Sequence, residues 1–371
     1  MKLSNTKTQI SATVATALLG LAIAQPASAV TDEEFNDLRA QFEALASQVE
    51  ENSGSSSSTT IGGYGELHYN NLSNGKGTDK KTLDLHRFVL FLNHEFNDDI
   101  RFFSELEIEH ANTEDNGVVE IEQAFVQFDL NDQTNVDAGM FLIPIGILNE
   151  THEPPAFYGV ERNPVEKNII PVTWSEGGVM LNGHSESGFS YNLALTSGLN
   201  KGVDIRGGRQ SVSKADASHL AATARAKYTG ISGLTLSATL QYQDDMTQDS
   251  SDDIESATLI ETHLIYNVQN LTLTGLYARW DIDGAGAQAV QKDVQDGAYL
   301  EASYKITPKI GIFARQNEWD NGGTGDTQKS QTDFGVNYWP HEDVVLKADY
   351  QLQNDVAGNF DGFNLGIGYQ F

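Results

Sequence analysis

Cysteine is absent from all 371 residues, which excludes disulfides, thiolate nucleophiles and cysteine-ligated metals. A chain exported to an oxidising compartment has no need of a thiol. Long hydrophobic runs are equally scarce: beyond residue 29 no segment approaches the roughly 20 apolar residues that a membrane helix requires. Helical membrane spanning is therefore excluded. Positive charge is short as well, with 23 Lys and Arg against 52 Asp and Glu and a formal net charge of −29. Nucleic-acid binding calls for clustered bases, so no nucleic-acid partner is expected.

Of what is there, the first residues read as an export signal. Lys2 and Lys7 precede the apolar run from Ile10 to Ala24, and Ala27-Ser28-Ala29 offers small cleavage-site residues, so residues 1–29 are expected to be removed. Cleavage takes away two Lys and no acid and shifts the charge to −31. In residues 30–52, Phe35, Leu38, Phe42, Leu45 and Val49 recur at alternating spacings of 3 and 4. That is a coiled-coil seam, expected to form a short periplasmic helix that helps subunits associate. Residues 53–60 form a Ser-rich linker.

From Ile61 onward the apolar period becomes 2, and the simplest parse gives about sixteen strands of bilayer-crossing length, an all-β antiparallel up-and-down barrel over residues 61–371. The final strand shows the pattern best: Phe363, Leu365, Ile367, Tyr369 and Phe371 share one face, Asn364, Gly366, Gly368 and Gln370 the other. Val344-Leu346-Ala348-Tyr350 against Val345-Lys347-Asp349-Gln351 repeats it, as does Leu234-Leu236-Ala238-Leu240 against Thr235-Ser237-Thr239-Gln241. A soluble sandwich also alternates, so the connections decide. They run short and long in turn, with short turns at 97–99, 131–134, 185–188, 230–233, 269–270, 307–308 and 340–343. Phe96, Phe128, Tyr228, Tyr266, Tyr304 and Tyr338 sit beside those short turns, as an aromatic girdle at one membrane interface would. The terminal strand, with Tyr369 and Phe371 facing lipid, is the expected signal to the barrel-assembly machinery.

The longest connection, residues 147–175, is too apolar for a solvated tether: Phe157, Tyr158, Ile169, Ile170 and Trp174 lie in it, with Pro144, Pro154, Pro155, Pro164 and Pro171 in or beside it. Folded inward, it would narrow a wide barrel, which makes Glu150, Glu153, Glu161, Arg162, Glu166 and Lys167 constriction candidates. Capping the rim or packing on a neighbouring subunit is the structural alternative. Enzyme chemistry finds little support. Adjacent His152 and Glu153 diverge on extended backbone and make a poor metal pair, Asp320 to Gln331 lacks the third-position acid of a calcium loop, and Glu105 and Glu107 read as solvated wall. No catalytic residue, cofactor or metal is expected. The acidic run Asp244, Asp245, Asp249, Asp252, Asp253 and Glu255 suits a solvated outer loop, with divalent cations shared with lipopolysaccharide phosphates as the alternative, while the loop with Lys201, Arg206, Arg209 and Lys214 is locally basic.

The stretch Ala138-Gly139-Met140-Phe141-Leu142-Ile143-Pro144-Ile145-Gly146, followed by Asn149 to Pro155, Phe157 to Arg162 and Ile170 to Trp174, resembles the phosphate-selective porin O and P family. The likeness takes in the hairpin Phe88 to Ile108 and extends over Ile61 to Phe371. It implies a homotrimeric channel with an inward loop and, in phosphate-selective members, ladders of Arg and clusters of Lys. Arg87, Arg101, Arg225 and Arg315 fall on strand phases that face the lumen, as do Lys227, Lys305, Lys309 and Lys347. Acids share those phases, notably Glu105, Glu107, Glu109, Glu301 and Asp349. On the wall and the inward loop together, Arg87, Arg101, Arg162, Lys167, Arg225, Lys227, Arg315 and Lys347 face Glu105, Glu107, Glu109, Glu150, Glu153, Glu161, Glu166 and Asp349, and these nearly cancel, so a weakly selective outer-membrane channel for small ions and hydrophilic solutes is the leading expectation. A phosphate- or anion-selective porin and an envelope-organising or adhesive barrel without a transport role are the alternatives.

Overall fold

The computed structural model describes residues 58–371 apart from 76, 78, 112–116, 250–255 and 356–358. The expected signal peptide and the seam Phe35, Leu38, Phe42, Leu45 and Val49 lie outside the described residues, as does most of the linker.

Sixteen antiparallel strands close into one barrel. They are β1 (Ser58–Ser73), β2 (Lys80–Glu95), β3 (Ile100–Glu109), β4 (Val119–Asn131), β5 (Thr134–Leu142), β6 (Ser175–His184), β7 (Phe189–Ser197) and β8 (Leu220–Ile231), then β9 (Leu234–Gln243), β10 (Ser256–Val268), β11 (Leu271–Asp283), β12 (Val294–Thr307), β13 (Ile310–Asp320), β14 (Gln328–His341), β15 (Val344–Asn354) and β16 (Asp361–Gln370). Every strand pairs with its sequence neighbours, and β1 pairs with β16 through Tyr64↔Gln370, Leu67↔Ile367 and Asn70↔Asn364. Phe371 completes the seam, where its N–H donates to Gly63 O at 2.9 Å and its carbonyl accepts from Gly63 N at 3.0 Å. Closure leaves no edge strand with unpaired backbone, which the bilayer interior would not tolerate.

The period-2 pattern maps onto the two faces. Along β9 and β15, Leu236, Leu240, Leu346 and Tyr350 are exposed on the outside, while Ser237, Thr239, Lys347 and Asp349 are buried within. On β16 Phe363, Leu365 and Ile367 face out against buried Asn364. The short turns fall where the sequence places them, and β1 begins at Ser58 rather than Ile61, with Ser58 to Thr60 already paired to Glu95, His94 and Asn93. One long connection went unread in the sequence, residues 355–360 between β15 and β16.

Several ladders slip by one residue beside their turns, and two do so in mid-strand. Glu66 pairs with Arg87 while Leu67 pairs with Leu85, so His86 is the extra residue of β2. Glu105 pairs with Gln123 while Leu106 pairs with Ile121, so Glu122 is the extra residue of β4. Such bulges re-aim a side chain without breaking the strand.

Candidate functional site: the lumen and its infolded loop

Residues 143–174 join β5 to β6 and turn into the barrel. Their apolar side chains explain why. Ile143, Ile145, Leu148, Val165, Ile169, Ile170, Val172 and Trp174 are buried in one cluster with the wall residues Leu259, Leu276, Ala278, Trp280, Tyr299 and Trp319. Elsewhere the inner wall is largely polar, so β10 to β13 offer this loop an apolar seat; each large side chain removed from water contributes about 1.5–3 kcal/mol.

Polar groups set the loop's path. Asn149 closes the neck, its amide donating to Ile143 O (2.8 Å) and Trp174 O (3.0 Å) and its oxygen accepting from Trp174 N (2.7 Å). Asn163 caps the single-turn helix α1 (Pro164–Asn168), whose Pro164 fits the first turn because no partner is needed for its nitrogen there. The cap turns Glu166 inward. Its Oε2 accepts the N–H groups of Ile147 (2.8 Å) and Leu148 (2.6 Å), and its Oε1 accepts from Tyr299 (2.8 Å) and Asn163 (3.1 Å). Burial raises the Glu166 carboxyl above the ordinary range, against the pull of these donors. Gly146 has φ +68°, a left-handed conformation that favours glycine, and a Cβ there would lie 2.8 Å from Glu166 Oε2, so only glycine leaves room for the carboxylate.

Before α1 the loop reaches the far wall. Val160 N donates to Asp349 (2.6 Å), Phe157 O accepts from Asn337 (3.1 Å), and Glu161 takes Asn70 (2.9 Å) and His68 (3.3 Å). Glu150 pairs with Arg225 on β8. Residues 143–174 therefore touch strands all around the lumen.

This geometry redistributes the residues that the sequence singles out. Glu166 is 0% exposed and holds the loop together, so it does not line a water-filled passage. Lys347 and Asp349 are likewise covered by the loop, the ammonium lying 3.5 Å from the Phe157 ring centroid. Arg87 pairs with Glu66 (2.7 Å) and Glu107 (3.0 Å), Arg101 with Asp129, and Arg315 with Glu301 and Asp333 at 3.1 Å each. With Arg225 held by Glu150, each of these wall arginines is paired, and no free arginine ladder results among the described residues. Lys227 is half-buried on the inward phase of β8, Glu105 is bonded by Gln123 (2.9 Å), and Glu153 precedes the 3-10 turn Pro154–Ala156. Tyr369 and Phe371 sit at the closing seam, Phe371 62% exposed on the outer face.

Arg162 and Lys167, by contrast, have no ion-pair partner among the described residues, nor do two arginines that the sequence did not mark for the lumen. Arg206 donates to Lys167 O (3.0 Å) and Val172 O (2.7 Å), and Arg209 to Pro171 O (3.2 Å) and Thr173 O. Loop 198–219 thus folds over the first loop and brings its cations with it. A locally basic composition was readable; its inward direction was not. The field of Glu109, Glu120 and Glu122 acts on Arg209 and opposes the lowering of its pKa that burial imposes. At His152, burial disfavours charge, but Glu105 and Glu122 outweigh it and push the imidazole up to about 9.

Comparison with known proteins agrees with this architecture. An uncharacterised protein of Aquifex aeolicus (strain VF5) is 29% identical over 338 residues, covering 78% of this chain and 74% of its own. The fold is similar to that of an anion-selective porin from Comamonas acidovorans (TM-score 0.63, 13% identity, 85% of this chain and 100% of that one). It is also similar to Salmonella typhi OmpF, solved in complex with daunomycin (TM-score 0.59, 14% identity, 86% and 99%). Residues 12–358 match the family described as Gram-negative porin. A closed sixteen-stranded barrel with a polar inner wall and that match place the protein in the outer membrane as a general channel for small solutes: the chain belongs to the Gram-negative porin family.

Proposed function

We propose that this porin conducts small hydrophilic solutes through a constriction whose two sides carry opposite charge, and that it discriminates weakly between ions. The observation that carries the reading is the division among the cations. Wall arginines are paired with carboxylates, whereas Arg162, Lys167, Arg206 and Arg209 on the infolded loops have no ion-pair partner among the described residues, and Arg206 and Arg209 stand in the field of Glu109 on β3, Arg209 also in that of Glu120 on β4. Charges at the passage dominate because screening at physiological salt has a length of about 8 Å. Bilayer recording in a salt gradient tests this: a reversal potential near zero supports weak selectivity, and one near the Nernst limit for either ion contradicts it.

A phosphate-selective channel is the second reading, favoured by those unpaired arginines. Block of chloride current by micromolar phosphate would establish it in place of the first. We further propose a homotrimer, in keeping with the trimeric form of the Vibrio cholerae outer membrane protein OmpT, which has a similar fold (TM-score 0.57, 12% identity). In this reading residues 30–52 zip subunits below the membrane, the long loops meet lipopolysaccharide outside, and no reaction is catalysed.

A further inference from the structure

One buried cluster serves neither the strand ladders nor the docking of loop 143–174. His152, 3% exposed, directs Nε2 to 3.5 Å from Glu105 Oε1 and 3.6 Å from Glu122 Oε2, and both acids are buried as deeply. These separations exceed those of good hydrogen bonds, about 2.7–3.2 Å. They match the edge of a tetrahedron, roughly 3.4 Å, drawn around an ion with ligand bonds of about 2.0–2.2 Å. Glu105 Oε1, both Glu122 oxygens and His152 Nε2 have no hydrogen-bond partner.

The surroundings prepare these atoms as ligands. His152 Nδ1 lies 3.3 Å from Asn149 O, and a carbonyl only accepts, so Nδ1 keeps its proton and Nε2 is the nitrogen that a cation would take, in exchange for the proton it otherwise shares with the carboxylates. Two buried carboxylate oxygens and Nε2 then face one another, an arrangement that either a proton or a metal cation resolves. Gln123 holds Glu105 Oε2 at 2.9 Å and leaves Oε1 free, the kind of outer support that metal-binding carboxylates receive. Glu122 is the bulged residue of β4, which is what aims it here.

We propose that His152, Glu105 and Glu122 bind a divalent first-row transition cation, represented by Zn2+, which staples the infolded loop to β3 and β4. Two carboxylates balance its charge, and neighbouring Glu107 is already committed to Arg87. Imidazole nitrogen and a small donor set suit zinc better than Ca2+ or Mg2+, which take six or more oxygens. The other histidine groupings among the described residues differ: His341, Glu342 and Asp343 lie on an exposed turn, where water solvates them. His86 and His110 stand 3.0 and 2.9 Å from Asp84, and His68 3.0 Å from Glu66, so those groups satisfy one another by hydrogen bonding.

Equilibrium dialysis of Zn2+ against the chelator-treated, full-length folded protein decides the matter, in a His86→Asn/His341→Asn background that disables the other three-ligand histidine groupings among the described residues. One Zn2+ per chain is expected, with binding at least tenfold weaker in Glu122→Gln and in His152→Asn. Zn2+ should also slow hydrogen exchange of amides 147–156 in the background protein and not in either variant. Heat-modifiable gel migration reports folding of each protein, and should Glu122→Gln fail that check, His152→Asn carries the same test from the loop side. Absence of Zn2+ binding at about 100 µM, or affinity within twofold of the background in both variants, overturns the proposal and leaves the cluster held by a proton on His152.

Discussion

The barrel wall and loop 143–174 bury side chains by opposite rules. Strands turn apolar residues outward and polar ones inward, as Leu365 and Asn364 do on β16, and their positions follow from backbone pairing. The loop lacks such a ladder, and it carries its own apolar core against Trp280 and Tyr299 and takes its path from Glu166. Architecture therefore rests on the wall and the width of the passage on a few loop contacts. The two should fail separately.

The largest effect is expected where the wall closes. Phe371→Asp places a negative charge at the closing seam and removes an outward ring whose burial is worth roughly 1.5–3 kcal/mol. Yield of heat-modifiable, protease-resistant barrel should fall at least tenfold; normal yield would mean that the seam does not depend on this residue. Next comes the loop alone. Glu166→Ala strips a shared acceptor from Ile147 N, Leu148 N and Tyr299 Oη, at about 1–3 kcal/mol for each buried donor left unpaired. The barrel should keep its gel behaviour while single-channel conductance rises about twofold, as a freed loop no longer narrows the passage. Unchanged conductance would sever the loop from the constriction.

Smaller effects sharpen the division of charge. Arg206→Ala with Arg209→Ala removes two cations that have no acidic partner, and the reversal potential should move toward cations. Arg315→Ala, which deletes one member of a paired group, should move it less and cost stability instead, since it strands Glu301 and Asp333. Equal shifts in the two variants would undo the distinction between paired wall and unpaired loop. Smallest of all, removal of residues 30–58 should leave conductance intact and lower the melting temperature of the multimer by a few degrees; no change would deny the seam an assembly role.

The wall was legible because period 2 is a property of neighbouring residues, and β9, β15 and β16 carry it plainly. Bulges were not, since nothing in Glu120-Ile121-Glu122-Gln123 announces which residue is extra; pairing across the strand decides it. For the loop, an excess of apolar side chains in 147–175 gave its inward course but not its partners. Glu166 read as a pore acid because sequence shows a charge without its surroundings, whereas four donors from three separate segments enclose it. Arg206 and Arg209 were visible as a basic loop, yet their targets are carbonyl groups, which every residue possesses.

The central claim, that residues 143–174 cross the lumen and dock on the opposite wall, admits a direct measurement because the native chain has no cysteine. A Cβ on Gly366 of β16 would stand 3.1 Å from Val160 Cγ1 at the loop's far end, within disulfide reach. In Val160→Cys/Gly366→Cys the two thiols should join on mild oxidation of the folded protein, with conductance the same before and after reduction. Thiols that stay free in the folded barrel, or a bond that forms only with a large fall in conductance, would show that the loop does not rest there.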